Sequence, residues 1–185
     1  MIAAYRAEPV LVVVGGLPAT GKSTAARTVA RRLGASYLRI DTIEQSLSRF
    51  SAYGADTAAL RHAVDWGLGY EVAYATAGDL LGQGLCVFAE CVNPMKVTRD
   101  AWEAVAKRAG ARFVEVELIC SDPVEHERRA TSRTVDVPGL TLPTWQDIVE
   151  RDYEPWDRDH IVVDTAGKSA RDTVAELTDA LDIDG

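Results

Sequence analysis

Two hydrophobic rhythms alternate along the chain. Residues 10–16, VLVVVGG, form an unbroken β-branched run ending in glycine, the pattern of a central parallel strand covered on both faces. A period near that of an α-helix takes over at once. Ala25, Ala26, Val29, Ala30 and Leu33 share one stripe of a helix predicted over 22–33, and Gly34 supplies its stop. Residues 36–41 read as a short second strand with Asp41 at its C-terminal end. A long, mostly helical region then runs to about residue 81, carrying Leu60, Val64, Leu68 and Val72 at four-residue spacing. Further strands are predicted over 85–91, 111–120 and 160–165, separated by helices at about 96–108, 123–133 and 170–181. Strands that alternate with helices imply a parallel sheet with right-handed crossovers and helices on both faces, hence an α/β fold. Residues 134–145, TVDVPGLTLPTW, hold the mid-chain cluster of Pro and Gly and read as a loop or lid.

Composition narrows the picture. With 185 residues, 47% of them hydrophobic, the chain can bury one core and is too short for two well-built domains, so a single domain over 1–185 is expected. Lys and Arg total 20 against 28 Asp and Glu, a formal net charge of -8. That field repels nucleic-acid backbones, so a nucleic-acid partner is disfavoured. Cys86, Cys91 and Cys120 lack any C-x-x-C spacing and are expected as buried free thiols of a reducing compartment. The apolar run at 10–16 is too short to span a bilayer and has no basic leader, which leads us to expect a cytoplasmic protein without membrane association. The oligomeric state has no signature here.

The chemistry concentrates in Gly16-Leu17-Pro18-Ala19-Thr20-Gly21-Lys22-Ser23-Thr24. These residues satisfy G-x-x-x-x-G-K-[ST] between a predicted strand and a predicted helix, the context in which the motif cradles nucleotide phosphates. Lys22 is then expected on the β and γ phosphates of ATP and the Ser23 hydroxyl on Mg²⁺. Motor ATPases, GTPase switches and small kinases share the motif, so other residues must discriminate. Asp41 stands at the carboxyl rim of the sheet, where it can accept a proton from an attacking hydroxyl or hold a Mg²⁺-bound water; capping the next helix is its other reading. Glu90 follows the third strand and is a candidate for the Mg²⁺ shell or a solvated strand-end carboxylate, and Asn93 on the same loop is a candidate contact for the acceptor substrate. Arg128, Arg129 and Arg133 lie on a helix that enters the Pro/Gly loop. They form either a lid that neutralises a transferring phosphoryl group or a helix self-paired through Glu125.

With these residues the chain resembles the small P-loop kinases of the adenylate-kinase-like superfamily, the group that holds chloramphenicol phosphotransferase, the kinase domains of polynucleotide kinases and AAA-type small-molecule kinases. The resemblance runs from the cradle through LRIDTIEQSL, Glu90 and the arginine helix to VVDTAG. It implies a three-layer P-loop NTPase fold with a five-stranded parallel sheet in the order 2-3-1-4-5, acceptor-binding helices at about 42–82 and a helical lid at about 125–145. It further implies that Asp41 is the general base and that Asp164, Thr165, Ala166 and Gly167 lie beside the adenine. One position departs from the polynucleotide kinases: Glu44 stands where they carry an arginine for the acceptor phosphate. An acidic residue beside the base favours a neutral or cationic small-molecule acceptor such as a sugar, nucleoside or antibiotic.

His62, Trp66, Tyr70 and Tyr74 recur every four residues. They read either as core packing or as the wall of an acceptor pocket, for which Trp66 and Tyr70 are the candidates. The function expected is therefore an ATP- and Mg²⁺-dependent phosphotransferase acting on a small-molecule hydroxyl. A nucleotide-dependent switch and a nucleic-acid 5′-hydroxyl kinase are the alternatives.

Overall fold

The computed structural model describes residues 8–49, 58, 62–64 and 67–182. Its sheet contains β1 (Val10–Gly15), β2 (Ser36–Arg39), β3 (Val87–Glu90), β4 (Arg112–Ile119) and β5 (Ile161–Asp164). All neighbouring strands pair in parallel, in the order β2-β3-β1-β4-β5. The central strand is the continuous apolar run, because only a strand with a neighbour on each edge and a helix layer on each face can bury every residue. Val10, Val12 and Val14 of β1 point into a core shared with α1 (Lys22–Arg32) and α7 (Ala170–Leu181). Leu11 and Val13 point the other way, into a core with α3 (Leu68–Gly82) and α4 (Lys96–Ala109). The period-two alternation of one strand thus builds both cores of a three-layer α/β P-loop fold.

Between these elements run α2 (Ile40–Arg49), α5 (Pro123–Ser132) and the short α6 (Trp145–Val149). Three boundaries differ from the sequence expectation, each for a local reason. The second strand stops at Arg39 and Asp41 lies inside the first turn of α2, so it is not the cap of that helix. Glu90 is the last residue of β3 rather than the residue after it, paired in register with Val14 and Arg39. Trp145 opens a helix, because Thr144 and Asp147 form a capping box. Of the thiols, Cys91 is buried, whereas Cys86 and Cys120 are only partly so. Among the described residues no helix is long and apolar enough to cross a membrane.

Gly16 shows how tightly the phosphate loop is seated. Its φ of 130° lies in the left-handed region, and a Cβ there would collide with the Leu118 carbonyl oxygen of β4. Gly16→Ala is expected to cost about 3 kcal/mol, from strained backbone and overpacking together. A fall in the urea midpoint at unchanged slope would measure it.

A second group of charges lies between β4 and α4. Glu115 is buried, its Oε1 has no hydrogen-bond partner, and its Oε2 is 3.7 Å from Arg158. Burial pushes its carboxyl up to about 7 against the pull of Arg158. A folded-state value raised above the usual 4.5 means that the stability contributed by protonated Glu115 is full at low pH and is lost as pH rises through about 7. Glu115→Gln is therefore expected to be more stable than wild type at pH 8, and the difference should shrink toward pH 5. Denaturation midpoints across that range test the sign.

Candidate active site

The cradle is shaped by its backbone and braced by side chains. Positive φ at Gly16, Ala19 and Gly21 curls the loop in the way that nests amides around an anion. Gly16 N–H donates to Val92 O at 3.1 Å, Thr20 Oγ1 donates to Leu17 O at 2.9 Å, and His126 Nε2 lies 2.8 Å from Pro18 O. His126 in turn meets the Trp145 ring edge-on at 5.1 Å, so α5 and α6 brace the loop from outside. The N-terminus of α1 is left open. Asp122, Thr144 and Ser169 cap α5, α6 and α7 through their side chains. The helices α1, α3 and α4 have no cap from the N-cap side chain, but α3 carries Glu71 in its first turn and Glu154 accepts from Lys96 N–H at α4, whereas α1 starts at Gly21 with no acid in its first turn. Unpaired amides and an uncompensated helix dipole are what a phosphate group satisfies.

Above this loop opens a cleft of about 1080 Å³ whose wall brings together Lys22, Ser23, Asp41, Glu44, Tyr70, Glu90, Arg129 and Arg133. A smaller recess of about 370 Å³ joins it at Ala19, Gly21, Thr24 and Arg129 and is closed by Arg128, Thr165 and Lys168. Lys22 is buried, donates to Leu17 O at 3.1 Å, and places Nζ 3.9 Å from Glu90 Oε1. Burial pulls its ammonium below the ordinary value, opposed first by Glu90 and then by Asp41. Glu90 is not a solvated strand end. It is 2% exposed, accepts from the Tyr37 hydroxyl at 3.0 Å, and lies 3.1 Å from Arg39 Nε, off the line of a hydrogen bond but within an ion pair. Asp41 is more open and accepts from Arg39 Nη2 at 3.2 Å.

The three lid arginines have different fates. Arg129 bonds Glu125 Oε1 through Nε and Nη2, at 3.1 and 2.7 Å, and reaches Thr165 Oγ1 and O, both at 2.8 Å. It therefore both pairs with its own helix and ties that helix to the loop after β5. Arg128 is exposed and lies 3.5 Å from Glu125. Arg133, the first residue beyond α5, turns into the cleft with Nε and Nη2 inaccessible to water and without a partner. Burial lowers its pKa, with Arg39 adding to the effect and Asp41 and Asp136 opposing it.

The remaining candidates separate as follows. Tyr70 lines the cleft and accepts from Asn93 N–H at 3.1 Å, while Tyr74 packs edge-on against Trp102 at 4.6 Å in the core. One ring of the stripe thus faces the cleft and one packs in the core; His62 is exposed, and Trp66 lies outside the described residues. Asn93 is fully buried and is not part of the cleft wall. Its Oδ1 accepts from Thr98 at 2.9 Å, its carbonyl accepts from Arg99 at 3.2 Å, and its Nδ2 has no partner. Glu44 faces the cleft from α2 and packs where a side chain at Gly69 would have to be.

Sequence reasoning passed over Arg39, whose side chain is 9% exposed and meets Asp41, Glu90 and Asp136. Tyr37 and Arg39 alternate on the short second strand, both toward Glu90, and that polar alternation was the available signal. It also passed over Arg99, which is fully buried against the carbonyls of Asn93, Pro94, Glu154 and Pro155 and stacks 4.2 Å above Trp156.

The donors present suit Mg·ATP. Among the described residues no three His, Cys, Asp or Glu side chains gather to cage a metal. Magnesium bound to nucleotide needs no cage, since phosphates, water and one hydroxyl complete its shell. Ser23 lies on the cleft wall and offers such a hydroxyl, and the open N-terminus of α1 and the unpartnered Nε and Nη2 of Arg133 fit an anion.

Several solved structures share this fold. The APS kinase of Mycobacterium tuberculosis, solved in complex with AMPPNP and APS, is 22% identical with a TM-score of 0.65, covering 95% of this chain and 99% of that one. A sugar kinase from Janibacter sp. HTCC2649 is 15% identical with a TM-score of 0.65, covering 96% of each chain. A gluconokinase from Sinorhizobium meliloti 1021 is 20% identical with a TM-score of 0.60, covering 94% of this chain and 95% of that one. No curated protein matches at a significant level. Residues 11–150, well over half of the chain, match the AAA domain, and with its phosphate loop, sheet order and cleft in place the protein belongs to that family of P-loop proteins.

Proposed function

We propose that the protein is an ATP-dependent phosphotransferase that moves the γ-phosphoryl group to a hydroxyl of a small molecule in the cytoplasm. One observation carries this reading: Asp41, a carboxylate in the first turn of α2, opens into the same cleft as Lys22 and Ser23. A switch that only binds nucleotide needs the cradle; a transferase also needs a proton acceptor facing it. Kinase names among the fold relatives support the reaction type, and the AMPPNP held by one of them supports an adenine nucleotide.

Each residue then has a task. Lys22 and the backbone amides of residues 19–24 hold the phosphates and orient the γ-phosphorus. Magnesium would be held by Ser23 and, through water, by Glu90 and Asp41, and supplies neutralisation of the phosphate charge. Asp41 takes the proton of the acceptor hydroxyl as the acceptor oxygen bonds to phosphorus and the bond to the β–γ bridging oxygen breaks, leaving ADP. Arg133 balances charge on the group in flight, and Arg129 with Arg128 and Thr165 closes the nucleotide side. The loop of residues 133–144 lies over the cleft and excludes water.

The acceptor is a sugar, nucleoside or antibiotic-like molecule, neutral or cationic, read by Glu44 and Tyr70, with Trp66 a further candidate. Polynucleotide ends are disfavoured by Glu44 and the net charge of -8. The test is mass spectrometry of a metabolite extract incubated with Mg·ATP and either wild type or Asp41→Asn. A species that gains one phosphoryl group only with wild type establishes the reaction and names the acceptor. Nucleotide binding with no labelled small molecule would overturn it.

A further inference from the structure

We propose that Arg39 is a positioning residue that yokes the lid loop to the two carboxylates of the cleft. The role rests on the phosphotransferase reading of Asp41 and Glu90; the linkage itself does not. Arg39 ends β2 at the carboxyl rim of the sheet. Its Nη2 reaches Asp41 Oδ2 at 3.2 Å, its Nε lies 3.1 Å from Glu90 Oε2, and its Nη1 donates to Asp136 Oδ2 at 2.7 Å. Asp136 belongs to the loop between α5 and α6, which Arg49 pins a second time by donating to the Pro138 carbonyl. One cation thus meets the proton acceptor, the metal-side carboxylate and the lid.

A guanidinium is a rigid planar fork, so it cannot follow one carboxylate without turning away from the others. With the lid docked, Asp136 fixes the plane of the fork, and Asp41 and Glu90 sit where the fork sets them. With the lid lifted, Nη1 loses its acceptor and the plane is free to rotate. The lid state is thereby transmitted to the carboxylates before any acceptor is turned over. Arg27 also reaches Asp136, at 2.9 Å, but both of those side chains are about half exposed, so that pair contributes little by itself. The buried arm through Arg39 governs. The hydrogen bond from Arg39, and after it that from Arg27, holds the Asp136 carboxyl down at about 2 against the upward push of its partial burial, so that it stays ionised throughout the physiological range.

The experiment is amide hydrogen exchange on the full chain, with and without Mg·AMPPNP, for wild type, Asp136→Asn, Arg39→Lys, Arg39→Gln and the Asp136→Asn/Arg39→Gln double variant. Acceptor-free hydrolysis of Mg·ATP is measured alongside. Asp136→Asn, a substitution at a half-exposed site, is expected to speed exchange across residues 134–143 by about tenfold and to raise hydrolysis severalfold at unchanged KM for ATP. A general loss of structure would lower hydrolysis instead. Arg39→Lys keeps the charge but not the fork and is expected to behave like Arg39→Gln. The double variant should exchange no faster than Arg39→Gln alone, because both changes cut one link. Wild-type protection in Arg39→Lys, fully additive effects in the double variant, or an unchanged lid in Asp136→Asn would each overturn the yoke. If Arg39→Gln fails to fold, Arg39→Lys and Asp136→Asn still decide. Exchange needs no acceptor, so a protein that phosphorylates nothing yet shows the coupled lid would refute the phosphotransferase reading and leave the yoke standing.

Discussion

Replacing Arg133 with methionine is expected to make the protein more stable and far less active. The Arg133 guanidinium is out of contact with water at Nε and Nη2 and bonds no protein group there. Burial already disfavours its charge. Leaving buried donors of a charged group unmade costs about 1–3 kcal/mol, and methionine keeps most of the stem volume while removing the donors. The unfolding free energy should therefore rise by about 1 kcal/mol. Transfer should fall by about 10³-fold, the lower range for an arginine that neutralises a phosphoryl group in flight. A third readout joins these two. Mg·AMPPNP should raise the stability of wild type more than that of Arg133→Met, since the ligand's stabilisation scales with its affinity for the folded state. A variant that loses stability and keeps its rate would make Arg133 a packing residue of the lid.

Asp41→Asn should abolish transfer while leaving the nucleotide site intact. The amide is nearly isosteric, and its carbonyl can still accept from Arg39 Nη2, which lies 3.2 Å from Asp41 in the native cleft. It cannot take a proton. General-base catalysis contributes about 10²–10⁴-fold, so kcat should fall by that factor. Affinity for Mg·AMPPNP should stay within about threefold, because less than 1 kcal/mol separates such values. Titration calorimetry and single-turnover phosphorylation of the acceptor, once mass spectrometry has named it, separate the two quantities. Full transfer by Asp41→Asn would remove the base from the mechanism and leave Arg133 and Lys22 to act by charge alone.

The contrast between these two residues shows what could be read in advance. Asp41 could be singled out because the sequence places it at the carboxyl end of a short predicted strand, the rim where open α/β sheets bind ligands; α2 in fact starts at Ile40, yet its first turn still opens Asp41 into the cleft. Arg133 was legible as a lid arginine but not as the one with an unmet donor. Arg129, equally placed in the sequence, is consumed by Glu125 and Thr165. Which of two arginines four residues apart stays free depends on a loop 36 residues further on, and no local rule reports that. Asn93 went astray for the same reason. A loop next to Glu90 promised a pocket residue, yet Arg99 and Thr98 draw Asn93 inward to complete a buried network.

By itself the amino-acid sequence determined the layered α/β architecture, the central strand, the phosphate loop and the helix that follows it. These rest on period, glycine placement and short-range contacts, all encoded within a few residues of one another. The resemblance to small P-loop kinases added the strand order, which the sheet confirms. Only the tertiary structure decided how charge is shared in the cleft. Arg39 meets partners at positions 41, 90 and 136, and Glu90 is buried between Lys22, Tyr37 and Arg39. Buried ions interact over distances set by packing rather than by chain separation, so their pairing emerges only once every strand and the lid are in place.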